Sequence, residues 1–262
     1  MKNGSWALGQ RWRSFARRGA FAVLLLFSRH ALSTDLALHV ATDHNPPLSY
    51  KTEEGEFAGL AVEILDLAAA YAGVSIVYEE MPWNRAFEIY SSRPSYCLLA
   101  IGRTPEREEK FLWVGPIVHG GIALFAMPGR ELNIRDLHDV IAQDLTVGVA
   151  RNDIAKSVLS ISNGIKQLEI PSQTQGPPML QHQRFDLWAT GAISGRFRAA
   201  SQGIAVREVL RVENIDVDLG CAPGTDMAPL HKLQSSINQL AKQGVIAKLE
   251  RKYLHGNLTA RP

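Results

Sequence analysis

The chain has 262 residues, 46% hydrophobic and 21% charged, ordinary for a globular protein of one large domain or two small ones. Its formal charge of +2 comes from the first 33 residues, which hold Lys2, Arg11, Arg13, Arg17, Arg18 and Arg29 and no Asp or Glu. Removing these six from the 28 basic residues leaves 22 against 26 acidic ones, about −4, so the basic balance is no argument for a nucleic-acid partner.

The first element in chain order is that basic segment. It continues into a short apolar run, "GAFAVLLLF" (Gly19–Phe27), and then "ALS" (Ala31–Ser33), which offers small residues where a signal peptidase reads. Residues 1–33 therefore read as a secretory signal peptide, and the expected location is the periplasm. A buried N-terminal helix explains neither the basic flank nor the triplet. Arg17-Arg18 invites a twin-arginine reading, but its flanks match poorly. No Cys stands near the cleavage site, so no lipid anchor is expected. No later apolar run reaches about 18 residues, so the remainder is expected to be soluble.

"DLALHVATD" (35–43) alternates at strand spacing, and "NPP" breaks it. "AGLAVEILDLAAAYAG" puts Leu60, Ile64, Leu67 and Ala68 on one helical face, with Gly73 as the stop. "VSIVYEEM" reads as a strand, "PWNRAFEIYSS" as a short helix, and the apolar "YCLLAIG" as a buried parallel strand. "TPERE" reads as a helix start, with Thr104 as cap and Pro105 in the first helical position. Arg107 is badly placed in such a first turn, so it either holds an anion or is a solvated surface charge. Further on come a strand in 120–129, a helix in 133–142, a strand in 144–150, and a helix beginning at Asn152 or Asp153. Strand 165–172, a short helix from Gly176, strand 186–190 and a helix in 191–201 weakened by two glycines follow. Strand material over 207–224 and two helices broken at Gly244 close the chain. The alternation predicts an α/β fold with parallel sheet.

Enzyme motifs are missing: there is no Gly-x-Ser-x-Gly, no phosphate-binding Gly-rich loop and no His-Glu-x-x-His. No metal ligand set or cofactor site is expected. His44 sits in a strand-to-helix loop where α/β ligands bind, though an exposed loop histidine is the simpler explanation. "HGG" (119–121) reads as a backbone bend. Cys97 and Cys221 fit no metal spacing; in an oxidising compartment they form a disulfide or remain two buried thiols.

The order strand, "NPPLSY", "GEFAGLAVEILDLAAAYAG", "MPWNRAFEIYSS", "YCLLAIGRTPERE", "FLWVGPI" resembles the family 3 solute-binding proteins, the type II periplasmic binding proteins of polar amino-acid uptake. "LTVGVARNDIAKSVL", "MLQHQRFDLWAT" and "INQLAKQGVIAKLERKYL" continue the resemblance over nearly all of the exported chain, and "PWNRA" resembles a divergent subgroup. The resemblance implies two α/β lobes joined by two crossover strands, with lobe one at 34–119 plus 221–262 and lobe two at 120–220. The crossovers would be "VHGGIALFA" and "IDVDLGCA". The returning strand would lie beside "YCLLAIG", which favours a Cys97–Cys221 disulfide.

By the same resemblance Arg107 pairs bidentately with a ligand carboxylate, a planar fork matching a planar acid. Backbone N–H groups around Ile101 and Gly102 would add donors. Trp83 matches a pocket-lining position, or is a core tryptophan. Asn152 and Asp153 match a ligand-facing helix start whose N–H groups could meet an anion, although Asp153 suits a cap better than a ligand. Three departures stand out. Asn45 replaces a stacking aromatic, Gly102 a hydroxyl residue, and Gly191, five after the strand aspartate Asp186, replaces the aspartate that holds the ligand's ammonium. The carboxylate half of the clamp is thus expected without the amine half, unless Glu79, Glu80 or Asp43 supplies it.

The expected function is capture of a small carboxylate-bearing ligand by a monomeric clamshell that delivers it to the membrane permease of an ABC-type system. The alternative is a sensor or accessory protein whose closure signals to a membrane receptor. A dehydratase-like enzyme would need a cleft acid or base that the sequence does not single out.

Overall fold

The computed structural model describes residues 37–90, 93–151 and 153–255. The expected signal peptide and Asn152 lie outside them. The chain opens with β1 (Leu38–Thr42), a small hairpin of β2 (Tyr50–Lys51) and β3 (Phe57–Ala58), α1 (Leu60–Ala72), β4 (Ile76–Glu80), α2 (Trp83–Tyr90) and β5 (Tyr96–Gly102). A 3-10 helix (Pro105–Lys110) and β6 (Leu112–His119) follow. After Gly120-Gly121 come β7 (Ile122–Ala126), α3 (Leu137–Ala142), β8 (Thr146–Ala150), α4 (Ile154–Ser160), β9 (Lys166–Ile170), α5 (Gly176–Gln181), β10 (Leu187–Gly191), α6 (Ala192–Ser201) and β11 (Arg207–Glu213). The last elements are β12 (Asp216–Cys221), α7 (Met227–Lys242) and α8 (Val245–His255).

Two five-stranded sheets result, in the orders β4-β1-β5-β12-β6 and β11-β7-β10-β8-β9, each the centre of one lobe. In each sheet four strands run one way and a single strand, β12 in the first and β7 in the second, runs against them. The chain passes between sheets twice, at Gly120-Gly121 and at Asn214-Ile215. These passages lie against each other: a Cβ on Gly121 would stand 2.3 Å from the Glu213 carbonyl oxygen, and its φ of +155° is one that side chains rarely adopt. Only glycine fits there, so "HGG" is a crossing between lobes as well as a bend. The returning strand β12 pairs with β6 from Asp216 and with β5 from Val217, so 216–220, expected in lobe two, belong to the first sheet.

The alternation along β5 explains its burial on both faces. Cys97 and Leu99 join the core under α1 and α7, while Tyr96, Leu98 and Ile101 join the core under α2. α1 buries Leu60, Ile64, Leu65, Ala68 and Ala69, and ends where Gly73 takes the left-handed conformation at φ 63°. Cys97 and Cys221 face each other across the β5–β12 ladder and are joined by a disulfide. In the second lobe Val147, Val149 and Leu187 pack with α3 and α4 on one face, while Phe125 and Trp188 pack with α5 and α6 on the other. The two glycines expected to weaken the 191–201 helix do not prevent it. Gly195 lets α6 approach the sheet, since a Cβ there would meet Thr190 at 2.5 Å and Phe125 at 2.8 Å.

Candidate functional site

A cavity of about 530 Å³ opens between the lobes. Asn45, Trp83, Gly102 and Arg107 line it from the first lobe and Asp153 from the second, so the structure gathers every described residue of the expected site. A smaller side pocket of about 160 Å³ adjoins it and reaches Gly191.

Arg107 stands on the 3-10 helix after β5. "TPER" is not the start of an α-helix, and the Thr104 side chain makes no capping hydrogen bond. The tighter turn is compatible with Pro105, which has no N–H to place. Arg107 is half-buried. Its guanidinium lies 5.8 Å from the Trp83 ring centre and 5.9 Å from that of Phe87. One Nη1–H donates to the Gly102 carbonyl at 3.1 Å. The Gly102 carbonyl thus holds the Arg107 fork in place from the end of β5. Burial pushes the Arg107 pKa down, and the Glu106 charge opposes that shift. A guanidinium carries five N–H groups, so most of this fork is left to face the cavity. Trp83 serves both readings: it lines the cavity and packs at 6.0 Å on Phe87 in the aromatic core.

β5 reaches the cavity through a bulge. Leu98 pairs with Gly220 and Ile101 with Asp218, so Leu99 and Ala100 together face Leu219. Ala100 has a φ of 60° and lines the cavity. Bulges re-aim strand ends beside binding sites, and no motif in "YCLLAIG" announces this one. At Gly102 a Cβ would stand 3.2 Å from Ile215 and 3.3 Å from Ile154 of the other lobe. The hydroxyl residue implied by the resemblance would be crowded here.

The second lobe departs from expectation at Asp153. Its carboxylate accepts from the Ala155 N–H at 2.8 Å and from Gln173 Nε2 at 2.6 Å, and the Gln173 carbonyl oxygen accepts from Trp188 Nε1 at 2.7 Å. Asp153 caps α4, so the free N–H groups expected for an anion at that helix start are partly taken by the chain itself. Asp186 is structural: it accepts from the Thr146 N–H at 2.7 Å and from Arg130 at 2.6 Å. Of the three suggested amine holders only Asp43 lines the cavity; Glu79 is bonded to His39 and Tyr96. His44 is exposed and lines the cavity too.

Sequence reasoning missed Arg198. It lies on α6 and lines both the cavity and the side pocket. The signal was present: Gly191, Ser194 and Arg198 are spaced three and four apart, one stripe of a helix.

Residues 38–256 match the family model of the bacterial extracellular solute-binding proteins, family 3. The chain belongs to that family. A search of curated protein sequences returns no match. Among solved structures, a mutant of ArgBP from T. maritima is similar at 17% identity and a TM-score of 0.68, over 85% of this chain and 96% of that one. A histidine kinase sensor domain with similarity to periplasmic binding proteins aligns at 19% identity and a TM-score of 0.70, over 83% and 96%. The ancestral amino acid-binding protein AncCDT-1, a precursor of cyclohexadienyl dehydratase, aligns at 18% identity and a TM-score of 0.69, over 84% and 96%. These likenesses show the two-lobed type II periplasmic binding protein fold. A family 3 solute-binding protein has a ligand-binding role, and the interlobe cavity is its candidate site.

Proposed function

We propose that this protein is a periplasmic solute-binding protein that captures a small carboxylate-bearing molecule, an amino acid or a related organic acid, and delivers it to an ABC-type uptake system. The observation that carries the reading is the half-buried Arg107 guanidinium at the cavity wall, held beside two aromatic rings with one hydrogen bond and most of its donors unused. A flat bidentate acid fits that fork. Asn45 and Trp83 would complete the first-lobe wall, and closure of the lobes about the two crossings would exclude water from the ion pair.

The test is a thermal-shift screen against amino acids, organic acids and small peptides. A ligand at 100 times its dissociation constant stabilises by about 2.7 kcal/mol. Arg107→Ala is expected to remove the shift; a shift that survives it sinks the reading. The same fold in a histidine kinase sensor domain supports a second reading, ligand sensing through a membrane receptor. Uptake of the identified ligand by cells lacking the protein separates the two, since only the transport reading requires uptake to fall. Turnover of a prephenate- or arogenate-like acid would replace both with a dehydratase.

A further inference from the structure

We infer that the cleft takes a small molecule with two acidic groups and no ammonium, one group held by Arg107 and the other by Arg198. The inference rests on the carboxylate reading above and deepens it.

Four observations carry it. First, Arg198 makes no side-chain hydrogen bond or ion pair among the described residues. On the same lobe Arg151 is matched with Glu169, Arg130 with Asp186, and Arg196 and Arg211 with Glu208, while Arg184, which has no such partner among the described residues, is exposed to water. Second, Arg198 is largely buried at the cavity wall, and desolvation pushes its pKa down against the pull of Asp153. A guanidinium removed from water without an anion is costly, and a ligand acid would relieve that cost. Asp153 offsets that cost only in part: its charge acts on Arg198, but no hydrogen bond or ion pair joins the two, and its oxygens accept from Ala155 and Gln173.

Third, the side pocket beside Arg198 is lined by the buried Ser194 and Thr190, whose hydroxyls make no hydrogen bond among the described residues. Both can donate to an anion. The end of α6 that opens there has no side-chain cap. Fourth, Gly191 borders the same pocket with open space where a side chain would stand. The position that the resemblance gives to an ammonium-binding aspartate is empty, and a cation lies two helical turns further along the same stripe. An ammonium placed here would face Arg198 with no carboxylate at 191 to balance it. The second half of the clamp has therefore changed sign.

Calorimetry with succinate, glutarate and adipate, with monocarboxylates of matching length, and with the corresponding α-amino acids tests this. Dicarboxylates are expected to bind most tightly. Arg198→Met should weaken them by about 30-fold or more, the usual effect of truncating a buried charged partner, and weaken monocarboxylates far less. Gly191→Asp, which the open space accommodates, should do the same by placing a carboxylate beside Arg198. This second variant keeps the test sound if Arg198→Met fails to fold. Should dicarboxylates bind no tighter than monocarboxylates, with neither variant changing them, the second anion site is overturned while the Arg107 reading stands. Tight α-amino acid binding that survives Arg198→Met also overturns it. If no carboxylate binds at all, the Arg107 reading itself fails.

Discussion

The two lobes bring an arginine to one cavity by different means. In the first lobe Arg107 lies beside the Trp83 and Phe87 rings, over a sheet cross-linked by Cys97–Cys221. In the second, Arg198 projects from a helix seated on the sheet by Gly195, near a polar chain running Trp188–Gln173–Asp153–Ala155. The first wall is fixed by apolar contact and a covalent bond, the second by hydrogen bonds that must all be made. The contrast teaches where each half is vulnerable: reduction threatens the first, and loss of one amide threatens the second.

The largest effect expected is on the first lobe. Cys97 and Cys221 are separated by 124 residues, and removing a bond that closes so long a loop costs roughly 2–5 kcal/mol. Urea unfolding with and without reductant should show this loss; equal midpoints would mean that the aromatic core alone holds the lobe. Cys97→Ala with Cys221→Ala should behave as the reduced protein.

Next comes Asp218 on β12. Its side chain is buried, one oxygen has no hydrogen-bond partner, and Arg103 is 3.7 Å from the other. Burial raises its pKa to about 6, against the pull of Arg103. The folded state therefore keeps a proton that the unfolded chain has released, and stability falls as pH rises from about 4 to about 6. Asp218→Asn is expected to stabilise by about 3 kcal/mol above pH 6. The advantage should vanish below about pH 4, as melts across that range would show. A gain independent of pH would contradict the buried-charge explanation.

The smallest of the three sharpens the second-lobe side. Gln173→Ala leaves the Trp188 indole N–H unpaired in the core, at a cost of about 2 kcal/mol. It also releases one oxygen of Asp153, the residue whose charge acts on Arg198. Anion affinity should therefore fall in this variant, while Asp218→Asn leaves it unchanged. Calorimetry on both decides whether the polar chain matters to the cleft or only to the core.

Much of the architecture was legible because its signals are local. The alternation in 35–43, the helical stripe through Leu60, Ile64 and Ala68, and Gly73 as the stop all reflect the period of one element. Arg107, Trp83, Gly102 and Asn45 came from a recognisable order of motifs. What was not legible depends on contacts between distant segments. The bulge at Ala100 exists only against β12, and the fit of Gly195 depends on Thr190 and Phe125. Asp153 is locked by Gln173, twenty residues away. Arg198 was hidden for the same reason, since a helix is expected at 191–201 but the face it turns to the cleft depends on the other lobe.

The Cys97–Cys221 bond has a topological consequence. It joins the strand that leads toward the cleft to the strand that returns from the second lobe. The whole second sheet, from β7 to β11, therefore lies inside one covalent ring. A single protease cut anywhere in that ring opens it without parting the chain, and the two pieces separate only after reduction.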